Sequence, residues 1–336
     1  MKIIDLFSGI GGFSLGFQKA GYQFTEHYFS EIDKHAIANY KYNFPHAKNL
    51  GDITTLHGRD FRNIDIITFG SPCQDFSLAG KREGLKGAKS SLIQHAIALI
   101  TEVRPSLFVW ENVKGAFSSN AGADFWAILQ AFAHIGGYRL EWQLLNTSWI
   151  LPQNRERIYL VGHFTGRSQP GVFPIGENDK LLDGKTRKEN RKRTSIKTSL
   201  ARTITSRYHK MGSNDTYIVP KVAATLTGGG HSGGLHSDMT VIRQLKRGKN
   251  KGADLKICPT ISSNAFQENN LLNGVRRLTE IECERLQGFP DNWTQYGDYN
   301  GTIKPISKTQ RYKLIGNAVT VDIVELIAKR LKFIEP

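Results

Sequence analysis

The sequence predicts an α/β fold: a parallel sheet covered on both faces by helices, joined to a smaller, basic, loop- and strand-rich domain. Three observations predict it. Short apolar runs alternate with helical patterns over the first half of the chain, the signature of βαβ units. A glycine cluster follows the first apolar run directly. Charge is also uneven: of a net +15, the stretch 163–255 holds 18 Lys and Arg against 7 Asp and Glu, with little helical periodicity.

The elements follow in order. KIIDLF (2–7) reads as a strand, and SGIGG opens a helix that Gly21 can cap. Gln23–Phe29 reads as a second strand, and Asp33 can N-cap a helix running to about Asn43. Ile64–Phe69 is a buried-type strand, and Ser90–Val103 a helix closed by Pro105. Leu107–Trp110 is a strand, Asp124–Ile135 a helix and Arg157–Phe164 a strand. Helical pattern returns at Thr279–Leu286 and Val321–Leu331. A length of 336 residues suggests two domains and suffices for a buried core.

Several function classes fall away. No apolar run approaches the ~20 residues of a membrane span, and no secretory signal pattern is present, so a cytoplasmic location without membrane contact is expected. Cys73, Cys258 and Cys283 are the only cysteines. An odd, sparse set without C-x-x-C spacing argues against a disulfide framework or structural zinc, and no metal is expected. The positive balance favours a polyanionic partner, nucleic acid first.

Chemistry gathers at strand ends. Glycines in DLFSGIGG (5–12) let a ligand approach the backbone at a helix N-terminus, although the spacing is not G-x-G-x-x-G. Glu31 stands about 20 residues further on, where an acid can grip ribose hydroxyls, and Asp52 ends a third short segment. Together these point to a nucleoside cofactor. In an open α/β sheet ligands sit beyond the carboxyl ends of the strands. Cys73 falls at one such end, Glu111 and Asn112 at another, and Gln153, Arg155 and Arg157 lie just ahead of a third strand. A thiol, a carboxyl group and two guanidiniums at one edge make a reaction centre.

Here the chain resembles the bacterial C5-cytosine DNA methyltransferases of restriction-modification systems. The matching blocks stand in the family's order: DLFSGIGG (5–12), EID (31–33), GDI (51–53), GSPCQDFS (70–77), ENV (111–113), QNRERIYLVG (153–162), RRLTEIECERLQGFPDNW (276–293) and YKLIGNAV (312–319). The resemblance implies a Rossmann-like S-adenosylmethionine-dependent methyltransferase domain over 1–165 and 308–336. A target recognition domain would span 166–307, including the hinge-side motif 276–293. It implies methyl transfer to cytosine carbon 5 in a short double-stranded DNA sequence, with S-adenosylhomocysteine as product.

Under that resemblance Cys73 attacks C6 of a flipped-out cytosine, Glu111 holds N3 and the exocyclic amine, and Arg155 and Arg157 support them. Arg157 is also a candidate to lower the thiol pKa. Phe7 would stack near adenine, Gly9 and Gly11 would admit the methionine end, and Glu31 would take the ribose. Asp52 and Ile53 would contact adenine. Pro72, Asn317 and Val319 would line the cofactor and base pocket. Ile32 stands where the family often has an aromatic residue against adenine, a departure that weakens stacking. KSSL (89–92) departs from the Arg-Gly type sequence that ends the family's mobile loop, here about 78–92.

Gln74, Ser77 and Lys81 are expected on DNA. In the recognition region the candidates are Arg202, Arg207, Tyr208, Thr225 and His231. A monomer is expected, functionally paired with a restriction endonuclease without forming a stable complex. An oxidoreductase would explain the glycine loop but not PCQ, ENV and QxRxR together. An RNA cytosine methyltransferase would, by resemblance, carry a more compact insert.

Overall fold

A computed structural model describes residues 1–71, 91–117, 122–176 and 276–334, with three short strands between the last two stretches. The first half runs β1 (Lys2–Leu6), α1 (Gly12–Lys19), β2 (Glu26–Ser30), α2 (Lys34–Asn43), β3 (Lys48–Asn49), β4 (Ile66–Gly70), α3 (Ser91–Val103), β5 (Leu107–Val113), α4 (Ala123–His134), β6 (Tyr138–Asn146), β7 (Glu156–Phe164) and β8 (Ser168–Gln169). The second runs β9 (Ile242–Gln244), β10 (Ala253–Leu255), β11 (Asn270–Leu272), β12 (Arg276–Arg277), α5 (Glu280–Leu286), β13 (Tyr296–Tyr299), β14 (Thr302–Pro305), α6 (Lys308–Asn317), α7 (Val321–Arg330) and β15 (Lys332–Phe333). Local chemistry sets several boundaries. Asp33 accepts from the His35 and Ala36 backbone N–H groups and starts α2, and Thr279 with Glu282 forms a capping box on α5.

Seven strands form the main sheet in the order β3-β2-β1-β4-β5-β7-β6. The first five are mutually parallel. β7 is antiparallel to both β5 and β6, which corrects the expectation of a wholly parallel sheet. The physical reason is the connection 147–155: a parallel return needs a crossover of about a dozen residues or more, and a hairpin does not. β6 and α6 were not expected from the sequence pattern. β9 to β12 form a separate sheet in the order β10-β9-β11-β12.

Successive residues of a strand face opposite sides, and the core divides accordingly. Ile4, Leu6, Ile67, Phe69, Phe108 and Trp110 pack with α3 and α4. Ile3, Ile66, Leu107, Val109 and Val161 pack on the other face with α1 and α7. α1 and α7 approach so closely that a Cβ on Gly16 would stand 2.5 Å from Val324. The chain from 278 to 306 lies on α2: the Asn39 amide donates to the Trp293 and Tyr296 carbonyls. At the far end β15 pairs with β8. No helix of the described residues is long and apolar enough to cross a membrane.

Candidate active site

β1 ends in a turn built by left-handed backbone: Phe7 has φ +51°, Gly9 +54° and Gly11 +82°. The two glycines do different work. A Cβ on Gly9 would meet nothing within 4 Å, so the loop opens onto free space there. A Cβ on Gly11 would stand 2.4 Å from the Phe44 ring, so this glycine is required by packing against α2. The Glu31 carboxylate accepts from Gly9 N at 2.9 Å, Ile32 N at 2.8 Å and Asp33 N at 2.9 Å. Two carboxylate oxygens offer about four lone-pair sites, so one remains for a ribose hydroxyl unless Gly9 lets go. Ile32 is 74% exposed beside it, an apolar shelf where a base can lie. Asp52 is exposed and caps the turn at Ile53, accepting from Thr54 N. Ile53 itself is buried.

Beneath the loop sits a closed polar cluster. Buried Asp5 accepts from the Thr68, Ser14 and Tyr40 hydroxyls, and the Ser14 and Tyr40 hydroxyls also meet His27 Nε2. Burial pushes the Asp5 carboxyl up to about 7 and outweighs these hydrogen bonds. Burial likewise pushes His27 down to about 4, so His27 is neutral at physiological pH.

The other side of the edge carries the charged groups. Because β7 runs against β5, Arg157 pairs in register with Val113 and Tyr159 with Glu111. Residues at the start of β7 therefore reach the same edge as the ends of β4 and β5. Arg157 Nε stands 3.1 Å from Glu111 Oε1. Glu111 is 8% exposed, and beyond this ion pair its Oε1 makes no hydrogen bond among the described residues. Glu111 Oε2 would stand 3.2 Å from a Cβ on Gly70, so a side chain at the end of β4 would crowd the carboxylate.

Arg155 is buried and donates to the Gly316 and Ala318 carbonyls. It thus ties the β6–β7 turn to the segment bearing Asn317, which is exposed, and Val319, which is buried. Val319 lies between the two sides of the edge, against the Cβ positions of both Gly12 and Gly70. Gln153 is fully buried, and neither of its amide atoms finds a hydrogen-bond partner among the described residues. Ser71 accepts from Trp110 Nε1 and Asn112 Nδ2, which anchors the chain two residues before Cys73. Sequence reasoning missed Ser71. The adjacent Pro-Cys was its only signal.

Pro72, Cys73, Gln74, Ser77, Lys81, Arg202, Arg207, Tyr208, Thr225 and His231 lie outside the described residues. Among the described residues no group of three or more His, Cys, Asp or Glu could hold a metal ion.

An α/β sheet edge with a nucleoside-type cradle on one side and a buried carboxylate–guanidinium pair on the other defines a nucleoside-cofactor-dependent enzyme. Comparison with known proteins makes the assignment specific. The chain belongs to the C-5 cytosine-specific DNA methylase family, whose model matches residues 1–333. It is 32% identical over 336 residues to the Type II methyltransferase M.NgoBI of Neisseria gonorrhoeae, covering 100% of this chain and 94% of that one. It is 24% identical over 431 residues to the orphan methyltransferase M.SPRI of Bacillus phage SPR, covering 98% and 97%. Among solved structures, the S. pombe Dnmt2 methyltransferase superposes with a TM-score of 0.57 at 18% identity, over 97% of this chain and 96% of that one. That similarity shows the fold.

Proposed function

We propose that this protein transfers a methyl group from S-adenosylmethionine to carbon 5 of a cytosine within a short double-stranded DNA sequence, as the modification enzyme of a restriction-modification system. The observation that carries the reading is the buried Glu111–Arg157 ion pair. It stands at the same sheet edge as the open Gly9 turn. A carboxylate has about four lone-pair sites, so the ion pair leaves Glu111 with acceptor capacity that a substrate amine can use. Type II methyltransferases such as M.NgoBI and phage orphan methyltransferases such as M.SPRI both stand among its relatives, and the endonuclease pairing is part of the proposal.

The cradle fits the cofactor: Gly9 leaves room for its backbone-hugging portion, Glu31 has capacity for a ribose hydroxyl, and Ile32 and Asp52 are exposed beside it. When bound, the cofactor supplies an electrophilic methyl group. The protein's own residues do the rest. Cys73 adds its thiolate to C6 of a cytosine swung out of the duplex, at an unstacking cost of a few kcal/mol. Glu111 binds the exocyclic amine and delivers a proton to N3 as the thiolate adds, which gives C5 enamine character, and it takes that proton back when the thiolate leaves. Once C5 is methylated, a base removes its proton and the thiolate leaves, restoring the ring. Residues 166–275 choose the target sequence, with Lys and Arg on phosphates and a few side chains on base edges.

Bisulfite sequencing of plasmid DNA from expressing cells should show one methylated motif, and that DNA should resist an endonuclease cutting at the motif. Cys73→Ser should abolish methylation while leaving cofactor and DNA binding near wild type. Duplex DNA with 5-fluorocytosine at the target should trap the wild type through Cys73, because fluorine cannot leave as a proton does. Active enzyme without such an adduct would overturn the mechanism.

A further inference from the structure

The glycine loop is held from a distant part of the chain. Trp293 Nε1 donates to the Ile10 carbonyl at 3.0 Å, the peptide between the open Gly9 and the packed Gly11. A second contact comes from the same turn: a Cβ on Gly12 would stand 3.3 Å from Phe289. The turn 287–294 is shaped by one buried carboxylate. Glu284 has no exposure and accepts from Asn292 N at 2.7 Å, Thr294 N at 2.8 Å and the Thr294 hydroxyl. Arg311 pairs with it at 2.9 Å. Asn39 and Asn43 on α2 both donate to the Trp293 carbonyl. Trp293 is therefore fixed at its backbone by α2 and through its neighbours by Glu284, and its indole N–H has one carbonyl to meet.

That carbonyl matters because of the turn it belongs to. Ser8, Gly9, Ile10 and Gly11 close through Gly11 N to Ser8 O. Fixing the Ile10 carbonyl fixes the plane of the Ile10–Gly11 peptide. Gly9 N is held independently by Glu31. The loop is thus gripped at two successive residues by two distant parts of the chain, at Gly9 N by Glu31 and at the Ile10 carbonyl by Trp293.

We propose that Trp293 is a positioning residue for cofactor binding, holding the glycine loop in its binding geometry through the Ile10 carbonyl, with Glu284 setting the turn that aims it. The proposal rests on the reading of the Gly9 cradle as the S-adenosylmethionine site. Pre-forming the loop removes an ordering cost at binding, so its loss appears in affinity rather than in the chemical step.

Trp293→Phe keeps the ring that packs with Phe44 and Phe289 and removes only the donor. Calorimetry on the full chain should show S-adenosylmethionine Kd raised about three- to tenfold. The KM for S-adenosylmethionine should rise with it, while kcat at saturating cofactor and affinity for cognate duplex hold. Glu284→Gln touches neither the loop nor the cofactor and should shift Kd in the same direction. Combined with Trp293→Phe it should add little, because both act through one contact. A folded Trp293→Phe protein with wild-type Kd would overturn the proposal. So would a Glu284→Gln effect fully additive to Trp293→Phe. If Trp293→Phe fails to fold, unchanged Kd in Glu284→Gln overturns it instead. Wild-type protein that binds no S-adenosylmethionine would overturn the proposed function itself, a different result.

Discussion

The two halves of the functional edge treat their acids differently. On the cofactor side, Glu31 receives three backbone N–H groups and Asp33 and Asp52 cap turns. On the Glu111 side, Oε1 has its ion pair with Arg157 and both amide atoms of Gln153 are buried without hydrogen bonds among the described residues. Ser8 is the one unsatisfied buried side chain in the cofactor turn. One half is tied up by the protein's own backbone, and the other keeps acceptor capacity at Glu111 which, under the proposed function, a substrate amine takes up.

The comparison can be broken most severely at Glu111. Glu111→Gln keeps the size and removes the acid, and methyl transfer should fall roughly 10²–10⁴-fold in single-turnover assays. S-adenosylmethionine affinity should stay near wild type. A mutant that turned over normally would mean that the Glu111 carboxyl does not act on the substrate.

The cofactor side should respond in affinity. Glu31→Ala should weaken S-adenosylmethionine binding by about 1.5–3 kcal/mol, the usual contribution of a hydrogen bond to a charged group. Asp52→Ala should do the same with a smaller loss, because Glu31 also holds Gly9 N. Calorimetry showing unchanged affinity in both mutants would remove these acids from the cradle.

The last test concerns the cluster beneath the loop, away from both acids, and it sharpens the contrast through pH. Asp5 titrates near 7 when folded and near 3.8 when unfolded. The folded state therefore loses stability as pH rises from about 4 to 7, and the loss is complete above 7. His27 acts oppositely: with its folded value near 4, stability is lost as pH falls from 6.5 through 4. Asp5→Asn should stabilise the protein by on the order of a few kcal/mol at pH 8 and by less at pH 5, read by urea unfolding. Equal gains at both pH values would show that Asp5 does not carry the shifted titration.

Much of this fold was legible in the sequence, and the reasons are local. Asp33 and Thr279 announce helix starts by their capping chemistry, and the apolar runs of β1, β4 and β5 are buried on both faces. β6 escaped because its apolar residues alternate with Arg139, Glu141 and Gln143 on a half-exposed edge strand. Once β6 was missed, the direction of β7 could not be read, because only its partner makes 147–155 a hairpin. α6 escaped because KTQRYKLIGN carries little apolar periodicity. In the site, the acids and arginines were legible as motif positions. Their pairing was not: nothing in the spacing of Arg155 and Arg157 says that the first binds the Gly316 and Ala318 carbonyls and the second faces Glu111.

The β8–β15 ladder has a practical consequence for anyone attaching cargo to this enzyme. β7 runs away from the ends of β4 and β5, and β15 is zipped to the stretch that follows it: Phe333 opposite Ser168, with Arg330 donating to the Val172 and Pro174 carbonyls. A fluorescent protein or affinity handle joined beyond Phe333 would start from the end of the sheet opposite Glu111. Trimming the tail back past Lys332 would unpick the seam where the basic segment is sewn on.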